Sequence, residues 1–144
     1  MSNNEKYIRW QGIALNQVTF AINFLLALAI ATLGFSVSLL KDEKFTPTGK
    51  VKCLFTFALL FQLVSVFSGI VAVISRTLDF RNTAQIARRV ENPEGRGDVK
   101  SARLRVKKFG TATWGSFWAQ IGSFVLGILS LIISIVIIYS NKLF

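Results

Sequence analysis

Three long uncharged runs divide the chain. Asn16 to Leu40 reads NQVTFAINFLLALAIATLGFSVSLL, Cys53 to Ser75 reads CLFTFALLFQLVSVFSGIVAVIS, and Thr113 to Ser140 reads TWGSFWAQIGSFVLGILSLIISIVIIYS. A bilayer core of roughly 30 Å needs about 20 helical residues, and each run suffices. Many of these residues are β-branched or aromatic, yet an open sheet has no way to satisfy its edges in lipid. The pattern therefore predicts an all-α polytopic membrane protein with three transmembrane helices, forming one membrane domain over residues 1–144. The first run is too long for a secretory leader and starts late. No cleavage-like site separates Leu40 from KDEK, so it is expected to remain as a span.

Past Asn16 and Gln17 at the start of the first, each span carries one amide: Asn23, Gln62 and Gln120. Asn23 and Gln120 are expected at similar depth, in the cytoplasmic third, and Gln62 near the middle. Two roles are open to them. One is an interhelical hydrogen bond, worth about 0.6–2 kcal/mol. The other is the polar lining or gate of a pore. Small residues also recur at helical spacing. The first span has Ala27, Ala31, Gly34 and Ser38, and the second has Ala58, Ser65, Gly69 and Ala72. The third has Gly115, Ala119, Ser123, Gly127, Ser130 and Ser134. Small stripes let helices approach closely in lipid. Three of them exceed what one three-helix contact needs, so self-association is expected.

Composition narrows the chemistry. The chain is 52% hydrophobic, with mean hydropathy +0.52, no His and a single Cys, Cys53. That removes intrachain disulfides, Cys–His zinc sites and catalysis relying on His. Cys53 reads as a small apolar residue at a membrane edge. No cofactor or metal is implied, and no nucleophile is paired with a base, so an enzyme is not expected. The spans hold no charge, which argues against an ion-coupled pump. An uncharged pore of amides, serines and a hydrophobic constriction remains open.

Net charge is +10, from 17 Lys and Arg against 7 acidic residues. Ten of the basic residues and four acidic ones lie between Arg76 and Thr113. The N-terminal tail adds Lys6 and Arg9, the loop from Lys41 to Lys52 holds four Lys, and Lys142 stands near the end. The positive-inside rule then puts the N-terminus and residues 76–112 in the cytoplasm of a bacterial inner-membrane protein, and the C-terminus outside. Trp10, Trp114 and Trp118 would share the cytoplasmic interface.

SRTLDFRNTAQIARRVEN has no Gly or Pro before Pro93, and places Leu78, Ile86 and Val90 among its arginines. The second helix is expected to continue into the cytoplasm, turn at Pro93–Asp98, and return through VKSARLRVKKFG, with Asp98 as a cap. Spans two and three thus extend into a basic helical hairpin. Topology and lipid-headgroup contact account for some of this charge, at about 1 kcal/mol per residue. Basic residues persist to the tip, however, and repetition about an oligomer axis would make a ring attractive to phosphate. Arg88, Arg89, Arg103, Arg105, Lys107 and Lys108 are the expected ligand contacts, and Arg suits bidentate phosphate binding. The ligand would be an anionic nucleotide or a short oligonucleotide, with an acidic protein as the alternative.

The run SRTLDFRNTAQIARRV after a transmembrane hairpin resembles the start of the cytoplasmic helix in SLATT-type membrane effectors. The plan of residues 19–90, a small polytopic chain with a basic patch, is similar to Hailong-type effectors. The resemblance implies a pore-forming antiphage effector encoded beside a nucleotide-making enzyme. It implies control by a cyclic nucleotide or short DNA oligomer and, by analogy, a tetramer. The third span departs from the two-span SLATT pattern, so neither a pore-lining helix nor a ligand residue carries over. The reading is a homo-oligomeric channel gated at the basic hairpin. A non-conducting accessory subunit and a holin-like pore former are the alternatives, the latter disfavoured by an external C-terminus.

Overall fold

The computed structural model describes residues 3–43, 45–91 and 99–143. They form three helices: α1 (Asn3–Leu40), α2 (Gly49–Glu91) and α3 (Val99–Leu143). Each contains a segment long and apolar enough to cross a membrane: Gly12–Leu40, Gly49–Thr83 and Lys108–Ser140. The chain is an all-α membrane protein with three transmembrane helices. Two of these segments extend well beyond the uncharged runs. α2 continues past Ser75 to Glu91, and α3 begins fourteen residues before Thr113. Pro93 and the expected cap Asp98 lie outside the described residues.

Polar and small positions, rather than large apolar ones, fill the interface between α2 and α3. Phe55, Ala58, Gln62, Ser65, Gly69, Ala72 and Arg76 of α2 are buried in alternating steps of three and four, with Ser75 buried beside the last. Thr113, Gln120, Gly127 and Ser134 repeat every seven on α3. A seven-residue repeat keeps one seam facing its partner along the length of a helix. Gln62 meets Gly127, and Gln120 meets Gly69. These pairs run in opposite senses, so α2 and α3 are antiparallel. α1 packs mostly on α2, through Ile22, Ala29 and Ser36, again seven residues apart.

Large apolar side chains face outward. Phe20, Phe24, Phe67, Val125 and Leu129 are all exposed, which is the surface that lipid tails solvate. One end of the bundle is closed by Phe45, from the connection between α1 and α2. It is buried against Phe55 with ring centroids 4.9 Å apart, and Ala58 and Leu131 complete the cluster. The connection is tight. The Phe45 amide donates to the Asp42 carbonyl at 2.9 Å, and Gly49 opens α2 with φ of 54°, a conformation that favours glycine.

Candidate functional site

The bundle interior carries a column of polar side chains. Gln62 and Gln120 are both fully buried. The Thr32 hydroxyl of α1 lies 2.9 Å from Gln62 Oε1 and divides its proton with the Leu28 and Ala29 carbonyls of its own helix. Gln120 Nε2 donates to the Ile22 carbonyl of α1 at 3.3 Å. The Ser65 hydroxyl donates to the Gln120 carbonyl at 3.1 Å. The second half of each amide, Gln62 Nε2 and Gln120 Oε1, is buried without a partner. Of the two roles open to these glutamines, the interhelical hydrogen bond is the one that forms within the chain.

Local sequence explains the arrangement. QLVSVFSG (62–69) and QIGSFVLG (120–127) share the pattern Gln-x-x-Ser-x-x-x-Gly. On antiparallel helices, each glutamine then lies over the other helix's glycine. The pairing is a local two-fold, and α1 breaks it. Ser65 reaches across to α3, whereas Ser123 bonds to Ala119 of its own helix at 2.6 Å.

A charged group stands at the tryptophan end of this column. Arg76 is 8% exposed, within the apolar segment of α2 and between the helices. Its terminal amine donates to the Leu15 carbonyl of α1, which also accepts from the Thr19 hydroxyl at 3.0 Å. The guanidinium lies 5.5 Å from the Phe80 ring centroid and interacts electrostatically with Asp79, one turn on. Arg76 Nε and Asp79 Oδ1 are buried without hydrogen-bond partners. Both residues line a cavity of about 330 Å³ with Leu15, Phe80, Thr113, Trp114 and Phe117 among its walls. A second hollow, of about 170 Å³, lies on the other side of Arg76, next to Asn23.

The expected site residues separate. Asn23 is exposed, although its neighbour Ile22 is level with Gln120. Depth was readable, but facing was not. Asn23 shares its face of α1 with Ala27, Ala31, Gly34 and Ser38, all exposed. A Cβ at Gly34 would meet nothing within 4 Å. The α2 stripe, by contrast, is consumed inside the chain. Arg88, Arg89, Arg103, Arg105 and Lys107 sit on α2 and α3, and their side chains lie outside the described residues. Lys108 is exposed beside Leu104, Thr111 and Ala112.

Sequence reasoning missed Arg76 and Asp79. It ended the second span at the first charge and assigned both residues to the hairpin. The uncharged run ends at Ser75, but helix packing continues past it and buries Arg76 between the helices. The repeated Gln-x-x-Ser-x-x-x-Gly was the available signal for the α2–α3 register. Comparison with protein-family models, curated proteins and solved structures finds no match to this chain.

Proposed function

We propose that the chain is a homo-oligomeric channel whose open and closed packings bind an anionic ligand unequally. The ligand is a nucleotide or short oligonucleotide held at the basic segment 76–112, facing the cytoplasm. The SLATT-type resemblance would make it an antiphage effector of the bacterial inner membrane.

One observation carries the oligomeric channel. Asn23, Ala27, Ala31, Gly34 and Ser38 of α1 are exposed along one face, Asn23 at the rim of the hollow beside Arg76. Lipid tails offer Asn23 no hydrogen-bond partner, whereas a neighbouring copy or a water-filled pore does. Small residues on the same face permit close approach by that neighbour. Gln62 and Gln120, being enclosed, would act on the packing of each subunit and not as pore wall. Two states that differ in ligand affinity suffice for gating.

The test is ion flux through liposomes holding the purified chain, with a panel of short DNA and RNA oligomers and cyclic nucleotides. Flux switched by one ligand, and lost to that ligand in Arg88→Glu/Arg89→Glu with assembly retained, is the expected result. An oligomeric, folded protein that conducts under no condition overturns the channel. It would favour an accessory subunit whose basic segment docks an acidic partner.

A further inference from the structure

We propose that the cavity at Arg76 and Asp79 binds the phosphoethanolamine headgroup of a membrane phospholipid. This is independent of the channel reading, and it uses none of Arg88, Arg89, Arg103, Arg105, Lys107 and Lys108, the expected contacts of the gating ligand.

The argument begins with what the cavity offers. Its donor is Arg76 Nε, buried and unpartnered, on a side chain more than nine-tenths buried. Apart from the Trp114 indole, whose N–H only donates, the remaining polar side chains are acceptors. Asp79 Oδ1 is buried and unpartnered. Thr83 and Thr113 have hydroxyls, but both protons are already committed. Thr83 donates to the Asp79 carbonyl and Thr113 to the Phe109 carbonyl, each at 2.9 Å. A threonine in this state still offers oxygen lone pairs. The site thus presents one cationic donor and three acceptors, one of them anionic.

A matching ligand needs an anion near a group rich in N–H donors. Phosphate joined through two carbons to a primary ammonium has both. Its phosphate meets the Arg76 guanidinium, and its three N–H groups meet Asp79 and the threonines. The remaining walls suit a cation. Phe80, Trp114 and Phe117 surround the polar groups, and aromatic faces attract ammonium. Choline would satisfy the rings but has no N–H for the acceptors. Glycerol headgroups lack the cation.

Location and size agree. Trp114 is exposed on the bundle surface beside the cavity, and tryptophan belts mark headgroup depth. A volume of about 330 Å³ lies at the low end of ligand pockets, which suits a headgroup of few heavy atoms. Exposed apolar residues such as Ile74, Val71 and Ile70 continue along α2 toward the membrane centre, where acyl chains would lie.

The experiment compares phosphatidylethanolamine, phosphatidylcholine and phosphatidylglycerol of identical chains. Each is reconstituted with the full-length protein, and lipid retained after detergent extraction is counted by native mass spectrometry. Ethanolamine lipid should be retained about tenfold over choline lipid, the discrimination of one charge-assisted hydrogen bond. Asp79→Ala should erase that preference without reducing choline-lipid retention. Asp79 Oδ1 supports no other residue by hydrogen bond, so the variant is expected to fold, and circular dichroism checks this. Equal retention of the two lipids by the wild type overturns the proposal, as does an unchanged preference in folded Asp79→Ala. Phosphatidylglycerol supplies the control for a simple anion site. If it is retained as well as the ethanolamine lipid, the phosphoethanolamine assignment fails.

Discussion

Gly69→Ala tests the α2–α3 seam with a single methyl group. A Cβ at position 69 would stand 2.7 Å from Gln120 Nε2, 3.1 Å from Gln120 Cδ and 3.0 Å from Leu26 Cδ1. Ordinary contacts begin near 3.4 Å, so something must move. Gln120 is the movable group, yet it is fully buried and has no solvent to retreat into. Moving it breaks the 3.3 Å bond to the Ile22 carbonyl of α1. Overpacking costs about 1–3 kcal/mol, and the lost interhelical bond about 0.6. Alanine's better helix propensity returns up to about 1 kcal/mol. The expected net loss is about 1–2 kcal/mol. Gly122→Ala isolates the propensity effect, because a Cβ there meets nothing within 4 Å. Reversible unfolding of micelle-bound protein by added SDS, followed as loss of helical circular dichroism, measures both. In a Gln120→Ala background the clash partner is gone, and Gly69→Ala should cost at least about 1 kcal/mol less, a coupling typical of residues in contact. If Gly69→Ala is as benign as Gly122→Ala, or costs the same in both backgrounds, the seam described here is wrong.

Three further perturbations separate interior from outward roles. Gly34→Leu should leave the unfolding of one chain unchanged, while weakening association about tenfold by energy transfer between labelled copies in liposomes. An equal effect on unfolding would place Gly34 inside the subunit. Phe45→Ala removes the plug of the cluster with Phe55 and should destabilise by about 3 kcal/mol in the same SDS titration. Gln62→Met keeps volume while deleting a donor that has no partner and an acceptor with only a shared one. Its effect should stay within about 1 kcal/mol of zero, since an unsatisfied buried donor already burdens the native state.

Spans, helix number and the long helices of the basic segment were legible because they follow from length and from the absence of breakers. No Gly or Pro interrupts residues 70–91, and α2 runs to Glu91. Facing was harder. In a soluble helix the apolar side marks the interior, but here both sides are apolar and the buried seam is the smaller and more polar one. Gln62, Ser65 and Gly69 read equally well as an oligomer face or an internal seam. Only their match to Gln120, Ser123 and Gly127 on an antiparallel neighbour decides it. Arg76 was hidden for a different reason. Hydropathy closes a span at its first charge. What permits this charge to remain buried is the carbonyl of Leu15, 61 residues away. Nothing local in SRTLDF announces that partner.

The uneven use of helix surface bears on how such a chain would assemble. Within their most apolar windows, 28% of α2 and of α3 is buried, against 11% of α1. In lipid, burial of apolar area contributes little between helices, and association rests on close packing and hydrogen bonds. α2 and α3 have made those contacts with each other, through paired glutamines and glycines. α1 joins them at spaced points: Ile22, Ala29, Ser36, the Thr32 hydroxyl and the Leu15 carbonyl. It therefore keeps the largest unused surface, and that surface holds the small residues and the exposed amide of Asn23. In the proposed channel the α2–α3 pair would move as one body, carrying the basic segment. α1 would supply the contact with the next copy. A ligand pulling on the far ends of α2 and α3 would then act on the membrane through the few bonds that tie the pair to α1. Those bonds cluster at Arg76 and the two glutamines, the same interior groups whose hydrogen-bonding capacity is only half used. Their unused donors and acceptors can gain partners in a second packing. The seam with α1, rather than the seam between α2 and α3, is accordingly where two packings of similar energy are easiest to build.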